Sequence, residues 1–442
     1  MSPPAVSLPF RRCRPGSLAA NHEGGAVATT ARLRVDIERL KADVLALGEI
    51  GRDPDDRGVY RMAFTEADMF GRHWLMDRAA ATGLAVAMDG AGNVHARLGA
   101  ADGPAVVIGS HTDTVPRAGM LDGALGVLCG LECLRVLVES GVTPARAVEL
   151  ISFSDEEGRF GGMLGSEAVC GFLTPESLHL VGQDGVPLAD EMRARGLDPM
   201  GLLDARRPAH DIDAYFELHI EQGPVLARAG VPVGVVDRIT GLFKWGVRLR
   251  GEANHAGTTP MDMRHDAFLG LAEFANGVEG LLTRAGGPRS RATIGRAEIL
   301  PGAANTVPGE VLFSLDVRDT DPAILDALAL AAREDLAAIA RRRGLMLDLE
   351  VQSEIAPEAC DPDLVALVAA AAGEAGAPSL VMPSGAAHDA QIVARIAPVA
   401  MIFVPSRDGQ SHAPSEWTDW GDIEMGANVL LGAIARRAGV AE

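Results

Sequence analysis

Gly109-Ser110-His111-Thr112-Asp113-Thr114-Val115-Pro116, with Leu121-Asp122-Gly123 close behind it, is the stretch on which the fold turns. The apolar run Val106-Val107-Ile108 before it has the composition of a buried strand. It ends in small polar residues that expose the next side chains. His111 and Asp122 are spaced to reach one cation, and Asp113 to accept the other imidazole N–H and orient the ring. Alone, His-x-Asp with a later Asp is a weak signal, because both residues are common in loops after strands.

The pattern recurs. Ala147 to Phe153 is a second apolar run, leading straight into Ser154-Asp155-Glu156-Glu157-Gly158. Ala214 to Ile220 carries His219 near its end and leads to Glu221-Gln222-Gly223-Pro224. Val399 to Val404 leads into a loop that holds His412. In an open, mostly parallel α/β sheet, sites form outside the carboxyl ends of the strands, so these distant residues can converge. Three His with two or three carboxylates is a ligand set for zinc or a similar divalent ion. Five donors with one shared carboxylate suit two ions about 3.5–4 Å apart. In the pair Glu156-Glu157, one carboxylate can bind metal while its neighbour takes a proton from the attacking water. A lone Glu-Glu pair is usually a solvated charge patch, and a lone His after a strand is usually packed or exposed. Recurrence at four strand ends overturns both bland readings together.

Outward from the strands, the chain of 442 residues is too long for one ordinary core, and two domains are expected. A hydrophobic content of 48% suits a folded α/β protein, and a net charge of −20 argues against nucleic-acid or anionic-membrane binding. The five cysteines are odd in number and unclustered, as in a reducing, cytoplasmic setting. Cys129 and Cys133, one helical turn apart, read as small buried hydrophobes rather than a thiolate pair. Residues 1–32 lack a secretory apolar segment and read as a flexible extension. Helices are predicted over 33–50, 65–83, from Asp122 as cap to about Ser140, near 187–196 and 200–206, over 362–375 and over 421–438. Between 237 and 352 the order is β-α-β-β-α-β, the ferredoxin-like split pattern. The expected architecture is therefore α/β: a mixed, mostly parallel sheet domain (33–236 and 353–442) with an inserted ferredoxin-like α+β domain (237–352).

The motifs GSHTDTVP, LDGALGV, SDEEGRF, HIEQGPVL, GEANHAGTTPMDMRHDA, PGAANTVPGEVLFSLDVRD, SGAAHDA and SHAPSEWT occur in this order. The chain from about 35 to 436 thereby resembles the di-metal amidohydrolases that include N-carbamoyl-L-amino acid hydrolases, β-ureidopropionases and allantoate amidohydrolases, within the aminoacylase-type zinc peptidase superfamily. The resemblance implies two divalent ions per subunit (Zn, Mn, Co or Ni). His111, Asp122 and His219 would hold one, and Asp122, Glu157 and His412 the other. It implies Glu156 as general base and His255 as a residue that reaches the active site of a partner subunit in a lid-mediated homodimer. It also implies Gln222, Asn305 and Arg318 as substrate-binding residues. The implied reaction cleaves the ureido C–N bond of an N-carbamoyl-L-amino acid to amino acid, ammonia and carbon dioxide. Allantoate and N-carbamoyl-β-alanine are the alternative substrates, and a metal-free binding protein on the same scaffold is the alternative class.

Chemistry supports these positions. Arg318 offers a planar fork for a carboxylate, and Asn305 and Gln222 can donate and accept. His255 can serve a developing oxyanion. Bland alternatives stand beside them: Arg318 could pair with Asp316 or Asp319, and His255 could cap its loop. His388 and Asp389 are left outside the ligand set. The family usually has Gly where this chain has Ala387, close to substrate, so a methyl group there bears on substrate choice. The segment Arg117 to Met120 also departs from the usual Gly-rich loop.

Overall fold

The apolar runs become strands that carry their polar ends to one edge of a sheet. Residues 33–440 are described in a computed structural model; the expected extension over 1–32, with Cys13, lies outside the described residues. Six strands come first: β1 (Ala85–Met88), β2 (Val94–Leu98), β3 (Ala105–His111), β4 (Ala147–Phe153), β5 (Ile212–Ile220) and β6 (Val233–Ile239). Five follow: β7 (Gly241–Arg250), β8 (Arg291–Thr293), β9 (Ala297–Leu300), β10 (Glu310–Asp319) and β11 (Met346–Ile355). Three close the chain: β12 (Glu358–Ala359), β13 (Ser379–Ser384) and β14 (Val399–Val404).

The larger sheet has the order β1-β2-β4-β3-β5-β14-β6-β12, with β13 also pairing β6. Its centre is parallel: β3 pairs β4 and β5, and β14 pairs β5, all in parallel register. β2 and β6 flank that centre antiparallel. Parallel strands covered on both faces read as unbroken apolar runs, and β3, β4 and β14 are buried at every position. The smaller sheet has the order β11-β7-β10-β8, with β9 extending β10, and its pairings are antiparallel. Counting β8 and β9 as one broken strand, that is fourth-first-third-second, the ferredoxin-like order. Helices Ala267–Ala285 and Pro322–Arg343 bury Leu271, Phe274, Leu328 and Leu336 in the same cluster as Trp245, Phe313 and Leu315.

By internal contacts the chain forms two units. One comprises the described residues through Asp237, Ala359–Ser384 and the chain from His388 onward. The other comprises Arg238–Glu358 with Gly385–Ala387. The second boundary falls later than 352 because β11 runs on to Ile355.

Local readings differ in places. Asp122 does not cap the following helix. That helix spans Ala124–Glu139 with Gly123 at its N-cap in a φ of 61°, and no side chain caps it. A Cβ on Gly123 would lie 2.3 Å from the His111 ring, so glycine is needed for space as well as conformation. A helix over Leu164–Cys170 went unpredicted; left-handed residues at both ends, Met163 and Gly171, hide it. Cys129 and Cys133 are buried in the core, where burial pushes both thiols up. No helix among the described residues is long and apolar enough to cross a membrane.

One buried charge cluster ties β2 to β4 and makes stability depend on pH. His95 Nδ1 lies 2.9 Å from Glu149 and Nε2 lies 3.1 Å from Asp89, while Arg97 and Arg207 also bind Glu149. Burial lowers the His95 pKa, but the two carboxylates outweigh it and push it up to about 9. Burial raises that of Glu149, but Arg207, His95 and Arg97 bring it down to about 2. The raised His95 contributes stability that is complete below its unfolded pKa of about 6.5 and is lost as pH rises through 9. The depressed Glu149 contributes stability above about 4.5 that is lost as pH falls toward 2. Urea denaturation across pH 6–10 should show a falling alkaline limb in the wild type and a flatter one in His95→Gln. Parallel limbs would contradict the assignment.

Candidate metal centre

Four parallel strands bring four chain segments to one edge. His111 ends β3, Glu156 and Glu157 follow β4, His219 sits one residue before the end of β5, and His412 follows β14 in a loop. Their donor atoms form two groups: His111, Asp122 and His219, and Asp122, Glu157 and His412, the atoms within each group lying within 4.8 Å of one another. Asp122 belongs to both. Its Oδ1 faces His219 Nε2 at 3.2 Å and His111 Nε2 at 3.7 Å, and its Oδ2 faces His412 Nε2 at 3.3 Å. Glu157 Oε2 lies 3.5 Å from His412 Nε2, and Glu156 Oε2 lies 3.5 Å from His111 Nε2.

The rings are held by backbone. His111 Nδ1 meets the carbonyl of Asp113 at 3.0 Å, and His219 Nδ1 meets that of Ile220 at 2.9 Å. Both Nε2 atoms thereby face the centre, His111 Nε2 without a hydrogen-bond partner and His219 Nε2 beside the Gly123 N–H. This corrects the role expected of Asp113. Its carboxylate is 3.8 Å from His111 and instead accepts the backbone N–H groups of Glu156 and Glu157 at 3.4 and 3.2 Å. The Asp113 carbonyl orients the ring, and the Asp113 side chain shapes the Glu-Glu turn.

The electrostatics are those of a cation site. Burial, then the charges of Glu157, Asp389 and Asp122, drives the Glu156 carboxyl well above the usual range. Burial, then Asp122 and Asp113, does the same to Glu157. Burial lowers the His111 pKa to about 4 and favours the neutral, ligating ring. For His219, burial is outweighed by the hydrogen bond and charge of Asp122, which push it up to about 9. The Gly123 N–H, donated to the same Nε2 at 3.1 Å, pulls toward the neutral form, and this fixed backbone donor is the more specific constraint. His111 Nε2 and Glu157 Oε1 are buried with no hydrogen-bond partner. Orphaned donors in a nest of surplus negative charge fit divalent cations, and N/O donors of this kind suit zinc and its neighbours.

A third grouping, Glu217, His219 and His388, has similar spacing. Its donors are engaged elsewhere: Glu217 accepts from Ser110, Tyr215 and the Ala390 N–H, and His388 Nε2 meets Ser384 Oγ at 2.9 Å. It is packing behind His219, whose ring the His388 ring meets edge-on at 4.5 Å.

The residues expected at the substrate are placed as follows. Gln222, at φ 58°, donates through Nε2 to Asp122 Oδ2 at 2.7 Å. Arg318 lays its fork on Asp316 at 2.8 and 3.1 Å and donates to the Gly385 carbonyl at 3.0 Å, so the ion-pair alternative is the arrangement present. His255 and Asn305 are exposed and share a β-bridge region, and His255 Nδ1 accepts the Gly257 N–H at 3.1 Å. Ala387 is half-buried in the loop after β13. Arg318, His255, Asn305 and Ala387 all belong to the second unit. Sequence reasoning missed Ser411 and Glu416, which both touch the Asp122 segment. They stand in the motif SHAPSEWT, from which only His412 was drawn.

Two donor triads at the carboxyl edge of the sheet's parallel centre form an arrangement suited to metal-assisted hydrolysis. Residues 107–436 match the profile of Peptidase family M20/M25/M40, and the chain belongs to that family. It is 40% identical over 400 residues to an N-carbamoyl-L-amino acid amidohydrolase of Geobacillus stearothermophilus, covering 89% of this chain and 96% of that protein. It is 35% identical over 390 residues to the allantoate amidohydrolase of Escherichia coli, covering 87% and 94%. A solved amidase of the hydantoinase/carbamoylase family from Burkholderia multivorans superposes with a TM-score of 0.84 at 37% identity, over 92% of this chain and 98% of that one. The chain is thus a hydrolase acting on C–N bonds, of the amidohydrolase kind.

Proposed function

We propose that the chain is a divalent-metal-dependent N-carbamoyl-L-amino acid amidohydrolase. The pair of donor triads sharing Asp122, with Glu156 beside them, carries the metal-dependent hydrolysis, and the 40% identity to an N-carbamoyl-L-amino acid amidohydrolase favours that substrate. The residues would hold two ions of the zinc, manganese, cobalt or nickel kind, which supply a lowered water pKa and a polarised carbonyl. Glu156 takes the proton of the attacking water and delivers it to the leaving nitrogen. Arg318 exchanges Asp316 for the substrate carboxylate, assisted by Asn305 and Gln222, so that the ureido group is presented in a fixed orientation. His255 donates to the developing oxyanion. In this reading the second unit is a lid through which two copies pair, with His255 serving the partner's site, and the enzyme is cytoplasmic. Light scattering reads the pairing directly, and a fully active monomer would remove the role of His255 across subunits.

The substrate is tested by ammonia release from metal-loaded enzyme. N-carbamoyl-L-amino acids should turn over fastest. N-carbamoyl-β-alanine, with one more backbone methylene, should be slower by about 10–200-fold, the range one methylene carries in a shaped pocket. Faster release from allantoate would transfer the assignment to that substrate. Activity on a dipeptide alone would make the chain a peptidase.

A further inference from the structure

Glu416 is 2% exposed, and its two oxygens serve two segments, Oε1 the one that carries Asp122 and Oε2 the one that carries His412. Oε1 accepts the backbone N–H of Leu121 at 2.8 Å and of Asp122 at 3.0 Å. Oε2 lies 3.1 Å from Ser411 Oγ, and that hydroxyl lies 2.6 Å from Asp122 Oδ2. The carboxylate is flush against the loop: a Cβ on Gly119 would fall 2.4 Å from Oε1. Glu416 and Ser411 flank His412 in one loop, so this contact joins the two ends of one donor triad.

The two triads are not equally supported. His111 and His219 belong to central strands in parallel register, and their side chains are 1% exposed. His412 stands in a loop outside any strand, in a left-handed conformation with φ 54°, and its side chain is 47% exposed. Strand pairing therefore fixes the two histidines of the first triad, whereas His412 has no strand to hold it.

We propose that Glu416 is a positioning residue of the metal centre: with Ser411 it latches the His412 loop onto the Asp122 backbone, and the Asp122–Glu157–His412 triad binds its ion tightly only while that latch is closed. This rests on the two-ion reading above. The latch works by hydrogen bonds to two backbone amides, which a carboxamide oxygen can also accept. The Gln –NH2 would then face Ser411 Oγ, which accepts while giving its own proton to Asp122.

The test uses chelator-stripped full chain titrated with Co²⁺ alone, read by calorimetric stoichiometry and by the visible absorption of bound Co²⁺, with thermal melts as a folding control. The wild type should bind two ions. Glu416→Ala should keep one tight ion and bind the second at least about tenfold more weakly, the scale for losing a residue that orients a ligand. Glu416→Gln should keep both. Ser411→Ala, a smaller change, should weaken the second ion alone and serves where Glu416→Ala does not fold. Two ions at wild-type affinity in Glu416→Ala or Ser411→Ala would overturn the latch. So would equal weakening of both ions, or a Gln variant as impaired as Ala. A wild type that binds fewer than two Co²⁺ ions would overturn the two-ion reading itself, and the latch with it.

Discussion

Asp122→Asn should leave a folded chain that has lost both tight divalent ions, with amidohydrolase turnover down by about 10³-fold or more. The reason is geometric. Asp122 is the one residue common to the two donor triads, with Oδ1 toward His111 and His219 and Oδ2 toward His412. Asparagine keeps the volume but removes the negative charge and replaces one oxygen with an N–H donor, which repels any cation on that side. Metal coordination supplies several kcal/mol of transition-state stabilisation, and about 4 kcal/mol corresponds to about 10³ in rate. Metal content after dialysis, measured beside kcat/KM, is the check. His412→Ala is the contrast, since it touches one triad and should cost one ion. An Asp122→Asn chain that kept two ions would show that the carboxylate is not shared.

The strand ends were legible because a fully buried parallel strand is an unbroken apolar run, and His111, Glu156, Glu157 and His219 each interrupt or follow one. The smaller sheet was legible for the opposite reason: β7 and β10 alternate between buried and more exposed positions, and the helix Ala267–Ala285 keeps a clear apolar face. Three strands escaped notice, β6, β12 and β13. β12 is only two residues long, β13 is of mixed exposure and contains Pro383, and β6 follows a turn at Gly230 and Pro232 and carries Asp237 and Arg238 near its end. Atom-level roles were less accessible. Spacing placed Asp113 beside His111 but could not say that the carbonyl, not the carboxylate, meets the ring. Spacing likewise could not decide between Arg318 facing a substrate and Arg318 facing Asp316, since the partner two residues away is on the same face of β10. Glu416 could not be found at all by local reading, because its contact with Asp122 spans 294 positions and exists only once β14 lies beside β5.

Glu156→Gln should separate binding from chemistry. The side chain keeps its size, and Glu156 belongs to neither donor triad, so the variant should retain two ions. It cannot accept the proton of the attacking water, and kcat should fall by about 10²–10⁴-fold, the usual contribution of a general base, with KM changed little. Its neighbour gives the control. Glu157 faces His412 and carries a buried oxygen with no hydrogen-bond partner, so Glu157→Gln should lose an ion as well as turnover. Two adjacent residues of one chemical type would then fail in different ways, one in the chemical step and one in metal content. Each is held in place by the same device, the Asp113 carboxylate beneath both backbone N–H groups. Loss of metal in Glu156→Gln would move that residue into the ligand set. Near-wild-type kcat would place the base elsewhere and leave the raised Glu156 carboxyl as an electrostatic neighbour of the centre rather than its proton carrier.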